Sequence, residues 1–314
     1  MKRTTDYTHT PVLTNEILQG LNLQADGIYI DCTFGRGGHS KAILQRISER
    51  GRLYAFDKDP DAISAIDKSL LEDKRFSIMQ GSYTMLGQLM DKENLSGQVN
   101  GILLDLGVSS PQFDNKERGF SFQQDAYLDM RMDNTSGLTA ADWLNSASQN
   151  EIRNVLHNYG EERYAKKIAR SIVEARQKKF ISGTGQLAGL IKSVVPAYEK
   201  NKHPATRTFQ AIRVFINDEL NELKKILDQS VKALSVKGRL VVISFHSLED
   251  RIVKRFIREK SKGDNFPAGL PITQDQLKAE LKPVGKAIYP TENEIKNNPR
   301  ARSAVLRIAE KVMT

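Results

Sequence analysis

Apolar residues in the first third of the chain fall into short continuous runs rather than alternating ones. Ile28 to Thr33, Leu53 to Asp57, Arg75 to Met79 and Gly101 to Leu106 read as strands buried on both faces, the pattern of a parallel sheet covered by helices. Between them the spacing turns helical. Helices are predicted from about Ser40 and from about Pro60, with another over Asn15 to Leu21, while the gap around Met85 to Leu95 carries no clear period. Strand and helix in alternation predict an α/β fold with a doubly wound sheet.

After Asp105 the strand pattern stops for about ninety residues. Ala165, Ile168, Ala169, Ile172 and Val173 share one helical face, with Lys166, Lys167 and Arg170 elsewhere on the same helix. Trp143, Leu144, Ile152, Val155 and Leu156 add further helical core, and Gly183-Thr184-Gly185 punctuates before Leu187 to Val195. The sheet pattern resumes after a long helix predicted from Thr208 to Leu234. A turn at Lys237-Gly238 leads into a fifth strand, Arg239 to Phe245, and Ser303 to Ile308 reads as a terminal strand. The predicted organisation is therefore one α/β domain made of residues 1–112 and 204–314, interrupted by a small helical domain over 113–203.

Charge adds a partner class. Lys and Arg total 47 against 38 Asp and Glu, a formal net charge of +9, which favours a polyanion such as nucleic acid. Cys32 is the only cysteine, so no intrachain disulfide forms, and no paired Cys or His spacing suggests a metal site. No apolar run approaches the roughly 18 residues that a membrane span needs. Met1 to Tyr7 lacks the apolar core of a secretory signal. These features predict a cytoplasmic protein.

The chemistry centres on Asp31-Cys32-Thr33-Phe34-Gly35-Arg36-Gly37-Gly38-His39-Ser40, at a strand-to-helix turn. Gly35, Gly37 and Gly38 let backbone approach a ligand where a Cβ would block it. Asp57 ends the next strand, about twenty residues on, where a carboxylate can accept ribose hydroxyls. Loop and acid together point to an adenosine-containing cofactor, and their spacing leaves open a dinucleotide or S-adenosylmethionine. Tyr83 and Asp105 follow the third and fourth strands, so four strand ends converge on one edge of the sheet.

Several longer runs carry a family likeness: His9 to Leu13, Phe34 to Ser40, Leu104 to Gln112, Arg118 to Phe122, Leu128 to Asp133, His203 to Gln210 and Ser244 to Arg251. With these the chain resembles, end to end, the bacterial MraW/RsmH family of ribosomal small-subunit RNA cytosine-N4 methyltransferases. The resemblance implies a Rossmann-like methyltransferase sheet with an inserted helical substrate-recognition domain. It also implies S-adenosylmethionine rather than NAD, and a cytidine of 16S ribosomal RNA near the P site as target. The partner would be that RNA or the ribosomal subunit; the oligomeric state stays open, a homodimer included.

Carried onto this chain, the family's cofactor contacts fall at Gly37, Gly38, His39, Asp57, Tyr83, Asp105 and Gln112, beside Gly35 of the same loop. Tyr83 stands where phenylalanine is familiar and keeps an aromatic face for adenine. Asp105, Ser109 and His246 are the candidate catalytic residues. Asp105 could hold the cofactor or steer the substrate amine, or simply cap a helix. Ser109-Ser110-Pro111-Gln112 occupies the place of the tetrad with which DNA amino-methyltransferases accept the amine protons, although an aromatic residue is replaced by Gln112. His246 would contact base or phosphate, or be satisfied by local backbone. Phe120 and Phe122 fit either a core or a stacking surface for a flipped base, with core the better expectation. Leu128 to Asp133 offers no derivable chemistry beyond a candidate lid. The lack of a Gly-x-Ser-x-Gly elbow, and Ser244, His246 and Ser247 in line, which cannot form a triad by adjacency, argue against a hydrolase. Basic clusters at Lys202, His203 and Arg207, at Arg251, Lys254 and Arg255, and at Arg300, Arg302 and Arg307 are candidates for phosphate contact.

Overall fold

The computed structural model describes residues 11–196, 203–263 and 279–312. His9, Thr10 and Lys202 of the motifs above lie outside the described residues. Chain contacts divide the protein into two compact units, one of residues 1–107 with 222–314 and one of residues 108–221.

The first unit is built on a seven-stranded sheet in the order β3-β2-β1-β4-β5-β7-β6. Its strands are β1 (Ile28–Asp31), β2 (Arg52–Asp57), β3 (Phe76–Gln80), β4 (Val99–Asp105), β5 (Leu234–Ser244), β6 (Leu281–Pro283) and β7 (Val305–Lys311). The first five run parallel and β7 returns antiparallel between β5 and β6. Alternate residues of each strand enter opposite cores. Ile30, Phe56, Ile102, Leu104 and Val242 pack on one face, and Tyr29, Leu53, Leu103, Val241 and Ile243 on the other. Both faces are dry, which is why these strands read as unbroken apolar runs. The strand order reverses between β1 and β4, so their carboxyl ends flank the crevice where ligands bind in such sheets.

Four elements depart from the sequence expectation. The first is β5, which starts at Leu234 and takes in the expected Lys237-Gly238 turn as an irregularity with Lys237 at φ +67°. The unclear gap after β3 holds a short 3-10 turn, Tyr83–Met85, running into the helix Leu86–Glu93. The three-residue edge strand β6 was too short to give a period. The single long helix expected from Thr208 is two, Thr206–Ile216 and Glu219–Ala233, broken at Asp218, whose φ is +52°.

The second unit is helical. The helix Gln149–Gly160 packs on Ala165–Arg176 and on Thr206–Ile216 around Trp143, Leu144, Ile168 and Ile212. The compact unit spans 108–221 against the expected 113–203, and on the C-terminal side it is Thr206–Ile216 that packs into it. Phe120 is buried in this core, and the Phe122 ring lies 4.6 Å from that of His203 and 4.8 Å from that of Phe209. The motif runs Arg118 to Phe122 and Leu128 to Asp133 clasp each other here. Met130 N–H donates to Arg118 O at 3.0 Å, and Arg118 Nη2 donates back to the carbonyls of Arg131 and Met132 at 3.0 and 2.8 Å. Asn217 completes the clasp: its Nδ2 donates to Met130 O at 2.8 Å and its Oδ1 accepts from Met132 N–H at 2.7 Å. Among the described residues no helix is long and apolar enough to cross a membrane.

Candidate active site

In the first unit the loop after β1 is tied to both neighbouring strands. Cys32 N–H donates to Leu103 O and Phe34 N–H to Phe56 O, each at 2.9 Å, while Gly37 N–H closes a turn on Phe34 O at 2.8 Å. Gly35 and Gly37 sit at φ of +57° and +72°, the left-handed region that disfavours a Cβ by roughly 1–2 kcal/mol. Gly37 then starts the helix Gly38–Leu44. A Cβ on Gly38 would lie 2.3 Å from Pro11 Cγ, so chain packing as well as ligand approach demands glycine there.

Asp57, half-buried at the end of β2, is held by the same loop. Its Oδ2 accepts from Gly35 N–H at 2.7 Å and its Oδ1 from Asp59 N–H at 2.8 Å. A carboxylate offers about four acceptor positions, so these two bonds fix the group without exhausting it. Burial pushes its pKa up to about 6, with the two backbone N–H groups resisting and the nearby Asp59 and Asp31 charges adding to the rise.

Three residues that the sequence reading did not single out complete the arrangement: Asp31, Thr33 and Ser40. Asp31 is fully buried, and its carboxylate accepts from Thr33 N–H at 3.1 Å and Ser40 Oγ at 2.6 Å. Burial holds its pKa above the usual carboxylate range, opposed by the Ser40 bond and the His39 charge. Thr33 Oγ1 accepts the backbone N–H of Asp105 at 2.7 Å, locking the ends of β1 and β4 together. An acid closing a buried strand, followed by hydroxyls that could tie it down, was the available signal.

His39 and Asp105 face each other across this crevice, with Nε2 and Oδ2 3.5 Å apart, a charge contact too long for a strong hydrogen bond. Burial depresses the His39 pKa, but Asp105 and the Asp31 charge outweigh it and hold the imidazole above its ordinary value. His39 Nε2 and Asp105 Oδ1 are buried with no hydrogen-bond partner among the described residues. An unmatched buried polar atom carries a desolvation penalty of about 1–3 kcal/mol, more for a charge, which a ligand's donor at Asp105 or acceptor at His39 would remove. Cys32, beside this crevice, is buried and its thiol pKa is pushed far up by burial and the Asp31 charge, which removes it as a nucleophile.

The structure thus brings Gly35, Gly37, Gly38, His39, Asp57 and Asp105 together at the ends of β1, β2 and β4. Tyr83 opens the turn that follows β3, half-buried against the sheet core. His246 caps the helix Ser247–Lys262, its Nε2 lies 3.1 Å from Glu249 Oε1 but is buried with no hydrogen-bond partner among the described residues, and Glu249 Oε2 accepts the Phe245 and His246 N–H groups at 2.9 and 3.2 Å. Ser109 and Gln112 belong to the second unit, where Gln112 Oε1 accepts Ser109 N–H at 2.8 Å and closes the first turn of the helix Ser110–Asp114.

Comparison with known proteins adds a chemical class to this geometry. The family model described as the MraW methylase family matches residues 6–312. A ribosomal RNA small subunit methyltransferase H of Coxiella burnetii is 55% identical over 304 residues, covering 97% of this chain and 99% of that protein. Among solved structures, an rRNA methylase from Streptococcus thermophilus aligns with a TM-score of 0.39 and 12% identity over 95% of each chain.

Proposed function

We propose, for a chain that belongs to the MraW methylase family, transfer of a methyl group from S-adenosylmethionine to the exocyclic N4 amine of a cytidine in 16S ribosomal RNA near the P site. The observation that carries the reaction class is the 55% identity with a small-subunit RNA methyltransferase over nearly the whole of both chains. The residues present fit the cofactor: left-handed glycines clear the approach, Asp57 keeps acceptor positions for ribose hydroxyls, and Asp105 Oδ1 lacks a donor. When bound, the cofactor supplies an electrophilic methyl on a sulfonium.

The chain's own groups do the rest by placement. His39, held toward its charged form, fixes the Asp105 carboxylate by electrostatics. The amine's lone pair is delocalised into the cytosine ring, so an acceptor must orient its protons and expose that pair. The likeness of Ser109 to Gln112 to the tetrad of DNA amino-methyltransferases gives this role to Ser109 or a nearby carbonyl, and the family resemblance gives Gln112 and Tyr83 to the cofactor. Holding nitrogen and methyl in line can supply on the order of 7–11 kcal/mol, while extruding the base costs only a few, so no strong base is needed. Acting on ribosomal RNA implies a cytoplasmic location, and sedimentation of the full chain tests for a homodimer.

Digested RNA from a reaction with tritiated donor is expected to yield N4-methylcytidine, and Cys32→Ser is expected to keep its activity. Methylation at cytosine C5 normally requires a thiolate attacking C6, which the buried Cys32 cannot provide. Finding 5-methylcytidine, or enzyme trapped covalently on RNA, would refute the mechanism.

The inserted helical unit we assign to substrate recognition. On Ala165–Arg176 the residues Ala165, Ile168, Ala169 and Ile172 are buried, and Lys166, Lys167 and Arg170 are exposed. Arg170 pairs with Glu174 at 2.7 Å, and Lys167 Nζ lies 5.8 Å from the Tyr164 ring centre, so this basic face is only partly neutralised. Replacing all three with alanine is expected to raise the RNA KM about tenfold with unchanged cofactor affinity and a shallower salt dependence. A parental KM and salt slope would reduce this face to solvated surface.

A further inference from the structure

A groove of about 260 Å³ lies between the helix Ser247–Lys262 and the chain linking β6 to β7, and none of its lining residues belongs to the glycine loop or the ends of β1 to β4. One wall is a helical stripe, Lys254, Ile257, Arg258 and Ser261, at spacing i, i+3, i+4 and i+7. The facing wall carries Lys286, beside Gly285 at φ +69°, and Val284 and Ile308 supply apolar surface.

The groove collects cations without their counter-charges. Neighbouring basic residues are neutralised: Lys260 pairs with Glu280, and Arg239 and Lys282 pair with Glu310, each at 2.6 Å. Arg307, also in the lining, holds Asp250 through two bonds at 2.6 and 3.0 Å. Lys254, Arg258 and Lys286 are exposed and form no ion pair among the described residues, and no carboxylate lines the groove. Three cations gathered along an apolar floor repel one another, and a bound anion removes that repulsion in a setting where charge attraction exceeds its value in open water. Charges distributed along an open groove fit successive phosphates of a strand.

We propose that this groove binds a single-stranded phosphodiester segment of the RNA substrate, at a place separate from the methyl-transfer site; the proposal rests on the RNA methyltransferase reading. The three cations release counterions from the bound strand, each contact adding about 0.7 to the salt slope for single-stranded RNA.

The test uses the full chain with K254A, R258A and K286A combined, and filter binding to a single-stranded fragment of small-subunit ribosomal RNA with no methyl donor present. RNA affinity is expected to fall on the order of tenfold and the slope of log K against log salt to shrink by about 2, with S-adenosylmethionine affinity unchanged. The charge-keeping set K254R, R258K and K286R should retain most binding. Removing three exposed lysines elsewhere, with K224A, K225A and K232A, should leave both quantities near the parental values. Parental affinity and slope in the groove variant, or equal losses in both alanine sets, would overturn the proposal, as would equal binding of cytidine monophosphate and the strand. Groove-dependent RNA binding by an enzyme that transfers no methyl group to that RNA would sink the functional reading and leave the groove standing. Methyl transfer with groove-independent binding would do the reverse.

Discussion

Asp57→Ala is expected to weaken S-adenosylmethionine binding roughly ten- to a hundredfold, the worth of charge-assisted hydrogen bonds of about 1.5–3 kcal/mol. The wild-type pH dependence follows from the carboxyl's raised pKa of about 6. Ribose hydroxyls favour the ionised form, so a proton competes with the cofactor, and below about pH 6 affinity should fall toward tenfold per unit. The free protein responds oppositely at this group. A carboxyl whose pKa is raised by folding contributes stability in its protonated form, fully present below the unfolded value near 3.9 and lost as pH rises through 6. Titration calorimetry between pH 5 and 7.5 checks the affinity, and thermal unfolding of the free protein from about pH 4 to 7 checks the stability. A flat affinity profile in the wild type, or unchanged affinity in folded Asp57→Ala, would remove Asp57 from the cofactor site. The variant also separates Asp57 from His39, whose own titration would persist in it.

The second large effect is structural. Gly119→Ala should destabilise the helical unit by roughly 2–5 kcal/mol, because φ of +72° disfavours any Cβ and the added atom would lie 2.5 Å from Asp129 N and 2.6 Å from Tyr127 O. Those neighbours are backbone, held by Leu128 N–H donating to Ser182 O at 2.8 Å and Ala140 N–H donating to Asp129 O at 2.7 Å, so neither can swing aside as a side chain would. Differential scanning calorimetry should show the unit melting roughly 8–20 °C lower. A parental melting temperature would mean that the clasp between the two motif runs is loose.

Physical reasons separate what could be read in the chain from what could not. The strands β1, β2 and β4 were legible because burial on both faces leaves little polar punctuation inside them. The break between the helices Thr206–Ile216 and Glu219–Ala233 was hidden, since Ile212, Ile216, Leu220 and Leu223 keep helical spacing across it. What fixes Asn217 there is a bond to Met132 N–H, 85 residues away in sequence, which no local pattern encodes. The same holds at the crevice. Glycines and Asp57 announce themselves by type and spacing, whereas Asp31, Thr33 and Ser40 act by holding backbone and one another. Leu128 to Asp133 looked like chemistry without a mechanism, and much of what it does within its own unit is architecture.

Cys32 offers an experimental handle. With 1% of its surface exposed and its thiol held in the neutral form, it should ignore maleimides and mild oxidants at neutral pH. Any cysteine introduced on the surface would then be the sole reactive thiol on the chain. A fluorophore at Lys286 could report the arrival of RNA, and one on the exposed face of Ala165–Arg176 could follow the inserted unit, with the natural sequence otherwise intact.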